Sequence, residues 1–143
     1  MSVIRPPTVR LTTSLRLVAP DATALPIPVS LRYDPADPYA VQVLFHPPLP
    51  GEEPVSWSFA RELMATGLVE PAGLGDVRLW PCTSPGRSLV ALALSSPDGR
   101  ALFEVPRSVL VRFLARSYAL VPLGHEAEHL DIDGAVHRLL APR

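Results

Sequence analysis

Leu31-Arg-Tyr-Asp-Pro-Ala-Asp-Pro-Tyr-Ala-Val-Gln-Val-Leu-Phe-His46 is the stretch whose reading decides the fold. Two β-like runs, Val29 to Tyr33 and Tyr39 to His46, flank Asp34-Pro35-Ala36-Asp37-Pro38. Each Pro fixes φ and removes a backbone donor, and each Asp can close an Asx-turn. The spacer is a stiff strand-to-strand connection, so the chain around it reads as antiparallel β structure. Upstream, Val9, Leu11, Thr13, Leu15 and Leu17 alternate with Arg10, Thr12, Ser14 and Arg16. That period of two predicts a half-exposed strand over Thr8–Ala19. Pro20 to Ala24 is a turn, and Pro26 to Tyr33 a second strand.

Downstream, the Pro-rich run from Pro47 to Glu53 forbids regular pairing. Val55 to Trp57 reads as a short strand entering a helix over Phe59–Thr66, with Ser58 as N-cap and Gly67 in the left-handed position past its end. Asp76 to Cys82 alternates again. Arg87 to Ser95 is almost continuously apolar, as in a strand buried on both faces or inside an oligomer. Ser96-Pro97-Asp98-Gly99 signals a hairpin turn, Arg100 to Val105 returns, and Pro106 suits the first position of a helix. This helix, Pro106–Tyr118, gathers Val109, Leu110, Phe113, Leu114 and Ser117 on one side and turns Arg112 and Arg116 away. A last helix over Asp133–Leu140 carries Val136, Leu139 and Leu140 on one face.

Leu44–Met64 and Leu92–Leu110 share one order: strand, turn, short strand, helix. This pseudo-duplicated layout predicts an α+β fold of two antiparallel β-sheets, each carrying a helix. Met1–Pro7 is expected to be a flexible tail ahead of one domain over residues 8–143.

Composition narrows the function. With 143 residues and 48% hydrophobic content, the chain can bury a real core. No run approaches the ~20 apolar residues of a membrane span. The start lacks a signal-peptide core, and a lone Cys82 excludes an internal disulfide framework, so a cytoplasmic location is expected. All thirteen basic residues are Arg, and neither Lys nor Asn occurs. Coding bias in a GC-rich genome accounts for this more simply than a demand for bidentate pairing or heat tolerance.

Three chemical readings compete with a plain scaffold. His125-Glu-Ala-Glu-His129 is a literal H-E-x-x-H, the pattern in which two His bind zinc and Glu acts as general base. A zinc-dependent hydrolase would place that pattern on a long helix with a buried far side. Here Pro122-Leu123-Gly124 precedes it and Asp131-Ile-Asp-Gly134 follows, so a polar surface loop is the better reading of His125 and His129. Asp34 and Asp37 could pair as catalytic carboxylates, but each precedes Pro, where a turn explains it. No phosphate-binding loop or nucleophile elbow occurs, and no catalytic or cofactor-binding residue is assigned. Single-stranded nucleic-acid binding would need Arg78, Arg100, Arg107, Arg112 and Arg116 on one surface with displayed aromatics. The net charge of −1 and 6% aromatics disfavour it.

Five ordered segments resemble the SsgA-like proteins, sporulation and cell-division regulators of filamentous actinobacteria. They are the opening stretch, Val55-Ser-Trp-Ser-Phe-Ala-Arg-Glu-Leu63, Gly75-Asp-Val-Arg-Leu-Trp-Pro81, Val90-Ala-Leu-Ala-Leu-Ser-Ser-Pro97 and the helical run after Pro106. The likeness spans roughly Arg10 to Leu140. It implies that Tyr33, Asp34, Asp37, Pro38, Tyr39, Trp57, Phe59 and Trp80 are structural positions of the family motifs. It further implies a fold like that of the Whirly and guide-RNA-binding proteins, assembled as a homo-oligomer, here a trimer. The implied role is a non-enzymatic adaptor, without cofactor, that marks septum sites and recruits FtsZ beside an SsgA-type protein. For partner contact, Arg112 and Arg116 and the loop Pro122–Asp133, with His125 and His129, are the expected residues.

Overall fold

A computed structural model describes residues 7–21, 23–46 and 51–130. Among these residues, seven strands form one antiparallel sheet. They are β1 (Val9–Val18), β2 (Ala24–Tyr33), β3 (Ala40–Phe45), β4 (Val55–Ala60), β5 (Val77–Ser84), β6 (Arg87–Ser96) and β7 (Gly99–Pro106), with α1 (Arg61–Gly67) after β4 and α2 (Arg107–Leu120) after β7. The strand order is β4-β3-β2-β1-β7-β6-β5. Both strand–strand–helix units expected from the sequence are present, as β3-β4-α1 and β6-β7-α2.

The expected two sheets are instead one. β1 pairs with β2 along its whole length, from Val9 opposite Tyr33 to Val18 opposite Ala24. Its last turn of the ladder then reaches β7, where Arg16 faces Glu104 and Leu17 faces Phe103. This narrow seam fuses the two meanders. It joins residues far apart in sequence, so no local pattern announces it.

Alternation along the strands sets the two faces. Leu11, Leu15, Leu31, Val43, Leu79, Leu92 and Val105 point to one side and meet Leu110, Phe113 and Leu114 of α2 and Met64 of α1 in a continuous core. Leu89 to Leu92 are all buried in β6, which is flanked by β5 and β7.

Four local expectations shift. Phe59 and Ala60 belong to β4, opposite Val41 and Ala40, so the helix starts at Arg61. Cross-strand pairing wins over helix propensity there, and Ser58, inside the strand, caps nothing. Gly67 is the last helical residue and not a left-handed terminator. It lies so close to β5 that an added Cβ would stand 2.5 Å from Leu79 Cβ. Pro106 ends β7 in extended conformation, and α2 begins one residue later. The expected tail over Met1–Pro7, apart from Pro7, and the expected helix over Asp133–Leu140 lie outside the described residues.

Candidate functional site

The stiff spacer closes as its residue types require. Asp34 Oδ1 accepts from the Ala36 N–H at 2.9 Å, and the Asp34 carbonyl accepts from the Asp37 N–H at 2.9 Å. Pro35 and Pro38 are buried and Asp37 is exposed. Tyr33 is fully buried, and its phenol donates to the Pro38 carbonyl at 2.8 Å. Burial pushes the Tyr33 phenol up, with the neighbouring Arg61 charge opposing. Asp34 and Asp37 thus share a turn, where Asp34 also receives Arg32 at 3.4 Å.

That turn is one wall of a buried charge site. Arg61, only 2% exposed, begins α1, and its N–H donates to the Tyr39 carbonyl at 2.7 Å. Its guanidinium stacks between Tyr33, 4.8 Å from the ring centroid, and Tyr118 of α2, 4.6 Å away. Nη1 donates to the Val121 carbonyl at 2.8 Å and to Ser117 Oγ at 3.4 Å, while Nη2 donates to Glu126 Oε1 at 2.8 Å. Ser117 Oγ in turn donates to the Leu114 carbonyl at 2.7 Å. The Glu126 backbone N–H and the Arg61 guanidinium hold the Glu126 carboxyl below the ordinary glutamate range, with burial opposing. A cavity of about 290 Å³ opens beside the pair, lined by Tyr39, Ala60, Glu62, Tyr118, Leu123 and Gly124. One ion pair therefore ties α1, the end of α2 and the segment after α2 to the Pro-rich turn.

The H-E-x-x-H residues fall on a short turn. Glu126–His129 is a single 3-10 turn. At three residues per turn, positions four apart do not share a face. Glu126, the general base of the zinc reading, is turned inward onto Arg61. His125 is exposed and its Nδ1 lies 3.1 Å from Glu128 Oε1; His129 is exposed as well. Among the described residues, no three His, Cys, Asp or Glu side chains converge as metal ligands would.

Arg112 and Arg116 lie exposed on the outer side of α2, and His125 and His129 lie exposed in the segment after it. Tyr39 is half exposed over the Arg61 cavity. Phe59 is buried; Trp57 is half buried and lines an apolar groove of about 410 Å³ with Leu17, Ile27, Phe45 and Phe103. Trp80 lies on the opposite face of the sheet. The five arginines named for nucleic-acid binding split, with Arg78 and Arg100 on β5 and β7 and Arg107, Arg112 and Arg116 on α2. Sequence reading missed Arg61 and Glu126 as partners. Its one available signal was spacing, since Arg61 stands three residues before Met64 on the buried side of its helix.

Comparison with known proteins follows the same outline. A family model described as the Streptomyces sporulation and cell division protein SsgA matches residues 27–126. The sporulation-specific cell division protein SsgB of Salinispora tropica is 73% identical over 143 residues, covering all of both chains. SsgB of Streptomyces coelicolor is 51% identical over 127 residues, 89% of this chain and 91% of that one. A solved structure from work on SsgB mutations and longitudinal cell division in Streptomyces coelicolor superposes with a TM-score of 0.82 at 49% identity, covering 90% of this chain and all of that one. An SsgA-like sporulation-specific cell division protein from Thermobifida fusca gives a TM-score of 0.82 at 38% identity, over 97% of this chain and all of that one. No helix among the described residues is long and apolar enough to cross a membrane.

Proposed function

The chain belongs to the SsgA family of sporulation and cell division proteins, and from that premise we propose that it is a non-enzymatic adaptor of sporulation-specific septation, of the SsgB type. The observation that carries this reading is end-to-end identity of 73% with a protein named for that process. The relatives described above bear cell-division names and no enzymatic ones. In this reading the adaptor works at the division septum, marks septum sites and recruits FtsZ, together with an SsgA-type protein. The repeated strand–strand–helix layout supports reading the fold as Whirly-like, and in this reading the adaptor is a homo-oligomer, a trimer.

The mechanism is tethering. Three copies would present one modest surface each to a filament whose subunits also repeat, and avidity turns weak contacts into a durable link. The contact surface proposed is the outer side of α2 with Arg112 and Arg116, continued by Pro122–Leu130 with His125 and His129. The Arg61–Glu126 pair supports this choice, because it fixes the segment after α2 against the helix that carries the two arginines.

The test is pelleting with polymerised FtsZ, run beside a low-salt oligonucleotide shift. Co-pelleting without a shift is expected, and Arg112→Glu with Arg116→Glu reduces it while leaving the thermal unfolding curve unchanged. A shift without co-pelleting would replace the adaptor reading with nucleic-acid binding.

A further inference from the structure

Every arginine that lies in a strand lies on the same face of the sheet. The strands hold Arg10, Arg16, Arg32, Arg78, Arg87 and Arg100. Leu11, Leu15, Leu31, Leu79, Leu92 and Phe103 point to the helices. Alternation and register then send all six arginines to the side opposite α1 and α2. The strands contain a single acidic residue, Glu104, on that same side opposite Arg16. The other acids of the described chain stand in turns, loops and helices, so a molecule with net charge −1 carries a segregated basic face. Only Arg32 among these six forms an ion pair among the described residues.

At one end this face is concave. A groove of about 380 Å³ is lined by Arg78, Trp80, Arg100, Val18, Ala93 and Leu102. Arg78, Ala93 and Leu102 form one row across β5, β6 and β7, and Trp80 stands beside the small Ala91 in the next row. The groove therefore has an apolar floor between two exposed guanidiniums. Asp21, Asp76 and Asp98 occupy the surrounding turns and not the floor. Strand spacing and rise put the Arg78 and Arg100 backbones roughly 12 Å apart, close to the span of about four residues of extended chain.

We propose that the sheet face opposite α1 and α2 binds an acidic peptide segment of a protein partner, with Arg78 and Arg100 taking carboxylates and Trp80, Ala93 and Leu102 taking an apolar side chain between them. Charge complementarity names the occupant: a guanidinium pairs with carboxylates bidentately, and Glu104 is the one carboxylate that the described strands place on this face. A single nucleic-acid strand suits it less. Such binders offer several stacking rings, whereas Trp80 is the sole strand aromatic here, Tyr33, Phe45, Trp57, Phe59 and Phe103 all facing the helical side. The surface lies opposite α2, so the inference stands apart from the FtsZ reading.

Fluorescence anisotropy with a fluorescein-labelled peptide of glutamates interrupted by leucine tests it, with a poly-dT oligonucleotide of equal length as the second arm. Saturable peptide binding that weakens as salt rises is expected. Arg78→Ala with Arg100→Ala is expected to weaken it at least tenfold, and Trp80→Ala severalfold. Arg112→Ala with Arg116→Ala leaves it unchanged. All these side chains are at least partly exposed, so matching circular dichroism melts separate lost binding from lost fold. The proposal is overturned by no saturable binding at low salt, by equal binding of the Arg78/Arg100 variant, or by tighter binding of the oligonucleotide. The peptide arm failing while FtsZ still co-pellets removes this face and leaves the adaptor reading in place.

Discussion

A guanidinium with 2% exposure persists at Arg61 because each side of it is occupied: two rings on its faces, a carbonyl and a hydroxyl on Nη1, a carboxylate on Nη2. Such a pair adds little net stability over a well-packed apolar substitute, but removing one member strands the other and opens a void. Arg61→Ala is therefore expected to cost about 3 kcal/mol in urea unfolding. Arg61→Lys recovers little of it, since an ammonium cannot fork between two acceptors while stacking on two rings. A loss below about 1 kcal/mol would place the network among arrangements that orient the chain without stabilising it. The acid limb isolates Glu126. Its folded-state pKa lies below the ordinary value of 4.5, so its contribution is complete above that pH and lost as the pH falls through the lower folded value. Glu126→Gln is thus expected to be destabilising at neutral pH, with the gap to the unmodified protein closing as the pH drops below 4.5. A gap that stays constant across that range would assign Glu126 a packing role alone.

At the scale of elements, α1 sits where it does because Gly67 lets it. An alanine methyl at that position would meet Leu79 Cβ at 2.5 Å, an atom too near the β5 backbone to swing aside. Gly67→Ala, favourable by helix propensity, is expected to destabilise by about 1–3 kcal/mol through overpacking. A thermal melt decides the sign, and a Gly67→Ala midpoint at or above that of the unmodified protein would overturn the overpacking account. The strands were legible because period-two patterning is local, as in β1 and β5. So were the Asp34–Pro38 turn and the hairpin at Ser96–Gly99, where Pro, Asp and Gly fix backbone angles themselves. The start of α1 was not, because Phe59 and Ala60 obey pairing with Val41 and Ala40 far upstream. The buried site was not legible either: Tyr33, Arg61 and the Tyr118–Glu126 segment are separated by tens of residues, and nothing in the neighbourhood of any one marks the others. The basic face was half visible, in the Arg10 and Arg16 alternation, but its extent depends on four registers at once.

For the whole molecule, the open question is energetic: two sheets or one. The hydrogen-bonded seam between β1 and β7 is short, with Arg16–Glu104 and Leu17–Phe103 as its register, against ten paired residues between β1 and β2. Unity must come from side chains. Leu15, Leu31, Val43 and Phe59 from one meander interlock with Leu79, Leu92 and Val105 from the other beneath Leu110 of α2. A gap of only about 10 Å³ lies among them, and close packing of this kind couples its neighbours. Leu110→Ala is expected to cost about 2–5 kcal/mol. Because its contacts are shared, the unfolding transition should stay single and amide exchange should accelerate together in Val29–Leu31 and Val90–Leu92. Native-state hydrogen exchange reads this directly. If Val90–Leu92 loses protection while Val29–Leu31 keeps it, the two meanders fold as separate units. The continuous ladder would then be a geometric join, and the two-sheet organisation expected from the repeated strand–strand–helix pattern would be the energetically correct description.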